Sequence, residues 1–325
     1  MTESQDQSSE SVDAATRSIA VSPVWFVLGG IASVQIGAAL AKTVFGLIDP
    51  TTMVWIRLVT AAVVLTALAR PRLRGRSRTD WWVVLGYAVC MVGMNWTIYQ
   101  SIARIPLGVA VTIEFLGPLA VAVLGSRRLV DLVWVGLAGV GVVLLGTGGS
   151  GVGAFGGLDP VGVLFAVAAG VCWGGYILIG GATGRRWQGI SALAVASVTG
   201  AVVLAPAALV IDGRGLLQPS VLVIGVLAGV LSSVVPYSLE LVALRRMRPS
   251  TFGILMSVEP AAAALAAAII LSEWLTPVQV IAVALVVLAS AGAARAARRR
   301  EVGGGRTVSR AVRSGRRRAG RPGRR

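Results

Sequence analysis

The chain contains no histidine and only two cysteines among its 325 residues. Cys90 and Cys172 each fall inside an apolar run with no partner motif beside them, so neither a disulfide framework nor a Cys/His metal centre is expected. A catalytic dyad built on histidine cannot form. Ser191 and Ser257 lack an evident base, and Glu114 and Glu259 are lone carboxylates rather than a metal-binding acidic cluster, so an enzyme is not expected. No nucleotide-binding motif is present, which leaves no direct drive by ATP without a partner. No cofactor is implied.

Charge is also scarce: 14% of residues are charged against 55% hydrophobic, and the mean hydropathy is +0.80. That is too little polar surface to cover a soluble globule of this length, so the bilayer is the expected solvent. The apolar residues come in blocks long enough, at 1.5 Å per residue, to cross a hydrocarbon core of about 30 Å. Ten blocks stand out, at 24–45, 51–69, 80–102, 107–125, 130–147, 158–180, 190–211, 219–243, 250–271 and 276–294. The fold class expected is therefore all-α and integral to the membrane. The 41 glycines sit within these blocks as well as between them, and Gly170/Gly174 and Gly225/Gly229 have the spacing that lets helix backbones approach closely.

Basic residues alternate from loop to loop, which reads as topology because cytoplasmic loops retain Lys and Arg. Arg17, the run Arg70 to Arg78, Arg127 and Arg128, Arg185 and Arg186, and Arg245 to Arg248 belong inside; Lys42, Arg104, Arg214 and Glu273 belong outside. Ten spans with both termini cytoplasmic satisfy every loop. Residues 1–23 are polar without a basic n-region and read as a disordered cytoplasmic leader. Residues 24–147 form a first five-helix repeat, 148–157 a glycine-rich external connector, and 158–294 a second repeat. Five spans per half insert the halves with opposite orientation, as in inverted-repeat carriers.

The tail, 295–325, holds thirteen arginines against one acid, Glu301. Without stacking aromatics or a nucleic-acid fold, it reads as a disordered strip against anionic headgroups, worth about 1 kcal/mol per basic residue, rather than as a nucleic-acid binder.

Apart from aspartates at the block starts, five charged residues lie inside the apolar blocks: Lys42, Arg57, Glu114, Glu240 and Glu259. Each costs about 2.5 to 3.5 kcal/mol at a helix centre, so such residues are expected to face a cavity or one another. Glu114 lies roughly 10 Å from the outer face and Glu259 roughly 14 Å from the inner face, both near the midplane. Each precedes a proline, Pro118 and Pro260, expected to kink its helix and free a carbonyl toward a cavity. Arg57 is expected either to pair with Glu114 or Glu259 or to meet a substrate carboxylate. Glu240 is expected in an interfacial ion pair with the nearby arginines, and Lys42 to snorkel to the outer interface. A guanidinium and carboxylates in one cavity suit a zwitterion, with Gln35, Asn95, Tyr99, Trp173, Tyr176, Tyr237 and Ser257 as candidate neighbours. Proton coupling through Glu114 or Glu259 is chemically reasonable.

Long segments carry a resemblance: IASVQIGAALAKTVF from Ile31, IRL at 56–58, GMNWTIYQSIARIPLGVAVTIEFLGPLAVAVLGSRRLVDLVWV from Gly93, CWGGYILIG from Cys172, and LSSVVPYSLELVALRRMRPSTFGILMSVEPAAAALAA from Leu231. The chain resembles EamA-domain members of the drug/metabolite transporter superfamily, in the threonine and homoserine exporter branch. The resemblance implies a ten-helix inverted-repeat carrier of the bacterial inner membrane that exports small neutral amino acids. It also implies that Lys42, Arg57, Glu114, Glu240 and Glu259 have counterparts there. The arginine-rich tail and the strongly basic run from Arg70 to Arg78 depart from it. Other metabolites or cationic drugs remain as alternative cargo, and monomer and homodimer both stay open.

Overall fold

Proline opens many of the helices. Pro23, Pro50, Pro160, Pro219 and Pro277 are each the first residue of one, where the missing N–H would have had no partner and the fixed φ already suits the helix. Carboxylates satisfy other orphan donors: Asp49 accepts from Thr51 N at 2.7 Å, and Asp159 from Val161 N at 2.9 Å. Ser77 and Asp80 close a reciprocal capping box at the start of the helix that begins at Arg78.

The computed structural model describes residues 22–124, 131–147, 157–213, 215–247 and 249–296. Most of the expected leader, connector and tail, together with Arg127 and Arg128, lie outside the described residues. The helices are α1 (Pro23–Lys42), α2 (Pro50–Ala69), α3 (Arg78–Ile102), α4 (Leu107–Glu114), α5 (Leu116–Leu124), α6 (Asp131–Thr147) and α7 (Pro160–Arg186). They continue with α8 (Ser191–Asp212), α9 (Pro219–Gly229), α10 (Val235–Arg246), α11 (Pro249–Met256), α12 (Glu259–Leu271) and α13 (Pro277–Ala296).

Among the described residues there is no strand, and nine helical segments are long and apolar enough to cross a membrane, counting α4 with α5, α9 with α10, and α11 with α12 as single crossings. The fifth expected span differs. Its apolar part, Leu132–Leu145, is shorter than the other nine, and fourteen residues reach only about 21 Å.

The helix pairings come in exchanged sets. α3 lies along α7, and α1 lies along α10; α5 packs on α7, and α12 packs on α1; α2 lies along α8, and α4 meets α12. Numbering the crossings one to five in each half, exchange of the halves turns each pairing into another of the set or into itself.

Small residues make these approaches close. Cys90 of α3 fills the space over Gly175 and Cys172 of α7 that over Gly93, both thiols being free. Gly225 and Gly229 of α9 take Ile56 and Thr60 of α2. Large apolar side chains such as Val63, Val171, Val202 and Ile269 point outward, as lipid-facing residues do, while exposed Trp25, Trp82 and Trp274 sit at helix ends in the manner of an interfacial belt.

Candidate functional site

Three interruptions of helical hydrogen bonding meet in the middle of the bundle, each set by a proline. Pro118 cannot donate to the carbonyl of Glu114, and the helix breaks at Phe115 between α4 and α5. Pro260 cannot donate to Met256, and α11 gives way to α12 at Ser257 and Val258. Pro236 cannot donate to Ser232, and a π turn at Val230–Val234 separates α9 from α10. The expected kinks at Pro118 and Pro260 are therefore breaks. Each proline falls in the first turn of a new helix, where it costs least, and each glutamate falls at the break itself: Glu114 ends α4 and Glu259 begins α12.

The freed carbonyls find different neighbours. Glu114 O faces Gly170 of α7, where a β-carbon would sit 2.7 Å from it. Ser232 O accepts from Arg57 Nη2 at 2.9 Å, while Arg57 Nε donates to Ser233 Oγ at 3.2 Å. The guanidinium also lies 5.4 Å from the centre of the Tyr99 ring. Among the described residues Arg57 forms no ion pair with Glu114 or Glu259; the carbonyl released by Pro236 and the Ser233 hydroxyl hold it instead.

Glu259 is buried and accepts from Gln35 Nε2 through Oε1 at 3.2 Å. Its Oε2, Gln35 Oε1 and Tyr99 OH are buried without a hydrogen-bond partner among the described residues. Asn95 Nδ2 is spent on Met91 O, 2.7 Å away on its own helix. Ser257 Oγ likewise turns back to Gly253 O at 3.2 Å.

These residues border two adjoining chambers of about 510 and 90 Å³. Arg57, Trp173 and Glu259 border both. Gln35, Asn95, Tyr99 and Glu114 line the small one, and Pro118, Tyr176, Tyr237, Glu240 and Ser257 the large one. The larger volume is within the range of about 300 to 1,000 Å³ usual for small-molecule sites. Its wall is mostly apolar and aromatic, with Trp173 edge-on to Phe115 at 5.4 Å.

Two expectations from the sequence are corrected. Glu240 has no ion pair among the described residues: its place on α10 turns it into the large chamber, while Arg246 lies over the Phe26 ring at 5.5 Å and Arg245 borders a separate pocket. Lys42 does not snorkel. Its Nζ lies 2.5 Å from Glu273 Oε1 and 3.1 Å from Ile105 O, because the loop after α12 folds back over the end of α1.

Glu273 Oε2 also accepts from Leu107 N at 2.9 Å, the first donor of α4, whose N-cap residue Pro106 gives no side-chain cap. Lys42, Ile105, Leu107 and Glu273 thus clasp one end of the bundle. The large chamber reaches the other end, to Glu240 and Ala294 on the helices that carry Arg245 and Arg295.

Sequence reasoning missed Ser232, Ser233, Pro236 and Glu273 as site-forming residues. The spacing of Pro236 from Ser232 carries the same signal that marked Pro118 after Glu114. Glu273 had none, since its partners are distant in the chain.

A profile of the EamA-like transporter family matches residues 160–295. The threonine/homoserine exporter RhtA of Escherichia coli (strain K12) is 40% identical over 274 residues, which are 83% of this chain and 92% of that protein. RhtA of Salmonella typhimurium (strain SL1344) is 39% identical over 281 residues, 85% of this chain and 94% of its own. A solved crystal structure with 22% identity has the same fold, at a TM-score of 0.60 over 85% of this chain and 98% of that one.

Proposed function

Since the chain belongs to the EamA-like transporter family and spans nearly the whole length of the threonine/homoserine exporters it matches, we propose that it exports small neutral amino acids, threonine and homoserine among them, across the bacterial inner membrane. The observation that carries this reading is the central cavity, where Arg57 and Glu259 border the same two chambers beneath an apolar and aromatic wall.

A zwitterion needs both charges met. Arg57 is held by Ser232 O and Ser233 Oγ through Nη2 and Nε, and Nη1 makes no hydrogen bond among the described residues, so it serves the substrate carboxylate. Glu259, with Oε2 unpaired, and Glu114 serve the ammonium group. Tyr99, Trp173, Tyr176 and Tyr237 shape the room left for a short side chain. Either carboxylate can carry a proton in exchange for substrate, which is the coupling we propose.

The transport cycle is alternating access. Two inverted halves of five crossings, with α6 as the fifth of the first half, are supported by the exchanged helix pairings and by the matching breaks beside Glu114 and Glu259. The alternation of basic loops supports a cytoplasmic location for both termini. In that orientation the clasp around Lys42 and Glu273 is an outer gate, shut here, while the large chamber faces the cytoplasm in the loading state of an exporter.

The test is efflux from proteoliposomes loaded with labelled threonine or homoserine under an imposed pH gradient. Release of either, faster than from protein-free vesicles, is expected; no release of any small amino acid from vesicles containing folded protein rejects the reading. A second reading, a cationic drug as cargo, is favoured only by Trp173, Tyr176 and Tyr237 standing near two glutamates. Ethidium efflux that homoserine does not inhibit would establish it.

A further inference from the structure

The basic run that departs from the family resemblance builds a second pocket, of about 650 Å³, apart from the central cavity. It lies where α2 ends at Ala69, α8 begins at Ser191 and α10 brings Arg245 in its last turn. Left-handed backbone at Arg70, Gly75 and Gly189 turns both loops over these helix ends. Five arginines border it, Arg70, Arg72, Arg74, Arg76 and Arg245.

One carboxylate, Asp80, borders the pocket, and it is already engaged. It pairs with Arg186 at 2.8 Å and with Ser77 through the capping box. Arg76 is fixed in place: Nη1 donates to Arg186 O at 2.6 Å, and the guanidinium lies 4.4 Å from the centre of the Trp187 ring. The other four arginines have no acidic partner within ion-pair distance among the described residues. Like charges gathered in one concavity repel, and an anion placed among them is attracted by all of them.

We infer that this pocket binds a phosphate-bearing anion, held by the bidentate geometry that guanidinium offers to phosphate oxygens. Two sources present that chemistry: an anionic lipid headgroup and soluble phosphate. The surroundings fit the headgroup. Leu73, between the pocket residues Arg72 and Arg74, is 48% exposed, and Trp82 on the first turns of α3 is 74% exposed, so apolar side chains stand free near this end of the helices.

The experiment uses the full chain in two arms. In the first, protein in nanodiscs of phosphatidylethanolamine with phosphatidylglycerol is released into native mass spectrometry, and retained phosphatidylglycerol is counted. In the second, thermal unfolding in detergent is followed in inorganic phosphate and in chloride at matched ionic strength. Arg72→Gln/Arg74→Gln/Arg245→Gln is compared with a charge-matched tail control, Arg316→Gln/Arg317→Gln/Arg318→Gln.

Retention of phosphatidylglycerol that falls at least about tenfold in the pocket variant, and by clearly more than in the tail control, identifies a headgroup site. A phosphate-specific rise in unfolding temperature, lost in the pocket variant alone, identifies soluble phosphate. No preference for either anion in the unaltered protein overturns the inference, as does equal loss in both variants. Should the triple variant not fold, Arg245→Gln alone is expected to lower retention by about fivefold, and unchanged retention counts against the site.

Discussion

Lys42 Nζ lies 2.5 Å from Glu273 Oε1, tying the last turn of α1 to the loop that follows α12, and Glu273 Oε2 at the same time takes the first N–H of α4. One carboxylate thus satisfies a lysine and the start of a helix that belong to different parts of the bundle.

Breaking the pair should slow transport by spoiling closure rather than binding. Both side chains are only partly buried, 18% and 24% exposed, so losing the contact costs about 1 kcal/mol, and either reversal also sets like charges face to face. Lys42→Glu and Glu273→Lys are each expected to lower efflux strongly, with partial recovery in the double exchange, read as maximal rate in proteoliposomes. Because Glu273 also serves Leu107 N, recovery should be incomplete. Full activity in either single variant would show that the clasp plays no part in gating.

The carboxylate at the α11 to α12 break should matter for binding. Loss of a hydrogen bond to a charged group costs about 1.5 to 3 kcal/mol, which is about a ten- to hundredfold weaker apparent affinity. Glu259→Gln is expected to show that loss in homoserine efflux while the protein remains folded by size-exclusion chromatography. Glu114→Gln, in the small chamber, is expected to behave alike. Normal kinetics in both would remove them from the site.

Arg57 depends on the π turn, so its geometry can be disturbed without touching it. Pro236→Ala supplies an N–H that competes for Ser232 O and favours a regular helix across the turn. Efflux is expected to fall several-fold through a raised KM, about 1 kcal/mol for one displaced hydrogen bond. Arg57→Lys, which cannot reproduce the fork to Ser232 O and Ser233 Oγ, should fall further. An unchanged KM in Pro236→Ala would mean that the turn does not position the arginine.

Packing at the α4 to α5 break can be tested by stability alone. A β-carbon at Gly170 would meet Glu114 O at 2.7 Å, and one at Gly117 would overlap the carbonyl of Gly170, whereas at Gly139 nothing beyond its own stretch of helix comes within 4 Å among the described residues. Gly170→Ala and Gly117→Ala are each expected to destabilise by about 1 to 3 kcal/mol, seen as a lower unfolding temperature in detergent. Gly139→Ala should be neutral or slightly stabilising, since alanine favours a helix by up to about 1 kcal/mol over glycine.

Much of the site was legible in the sequence. Charged residues cannot hide in an apolar block, and prolines near Glu114 and Glu259 announce where helical bonding fails, so the residues proposed from the sequence, apart from Lys42 and Pro260, border the two chambers. Gly170 and Gly225 were readable as close-approach positions for the same kind of reason. Lys42 and Glu240 were misread because their sequence neighbours, an interface and two arginines, were taken as their partners.

By itself the sequence determined the solvent, the apolar blocks, the alternation of basic loops and which few residues must be given a polar setting, since each of these follows from the free energy of a residue in lipid. The choice of partner was left to the tertiary structure. Lys42 meets Glu273 across 231 residues, and Arg57 meets a carbonyl freed by Pro236 across 175. Such pairings depend on how helices rotate and pack against one another, which close glycine contacts set and local composition does not encode.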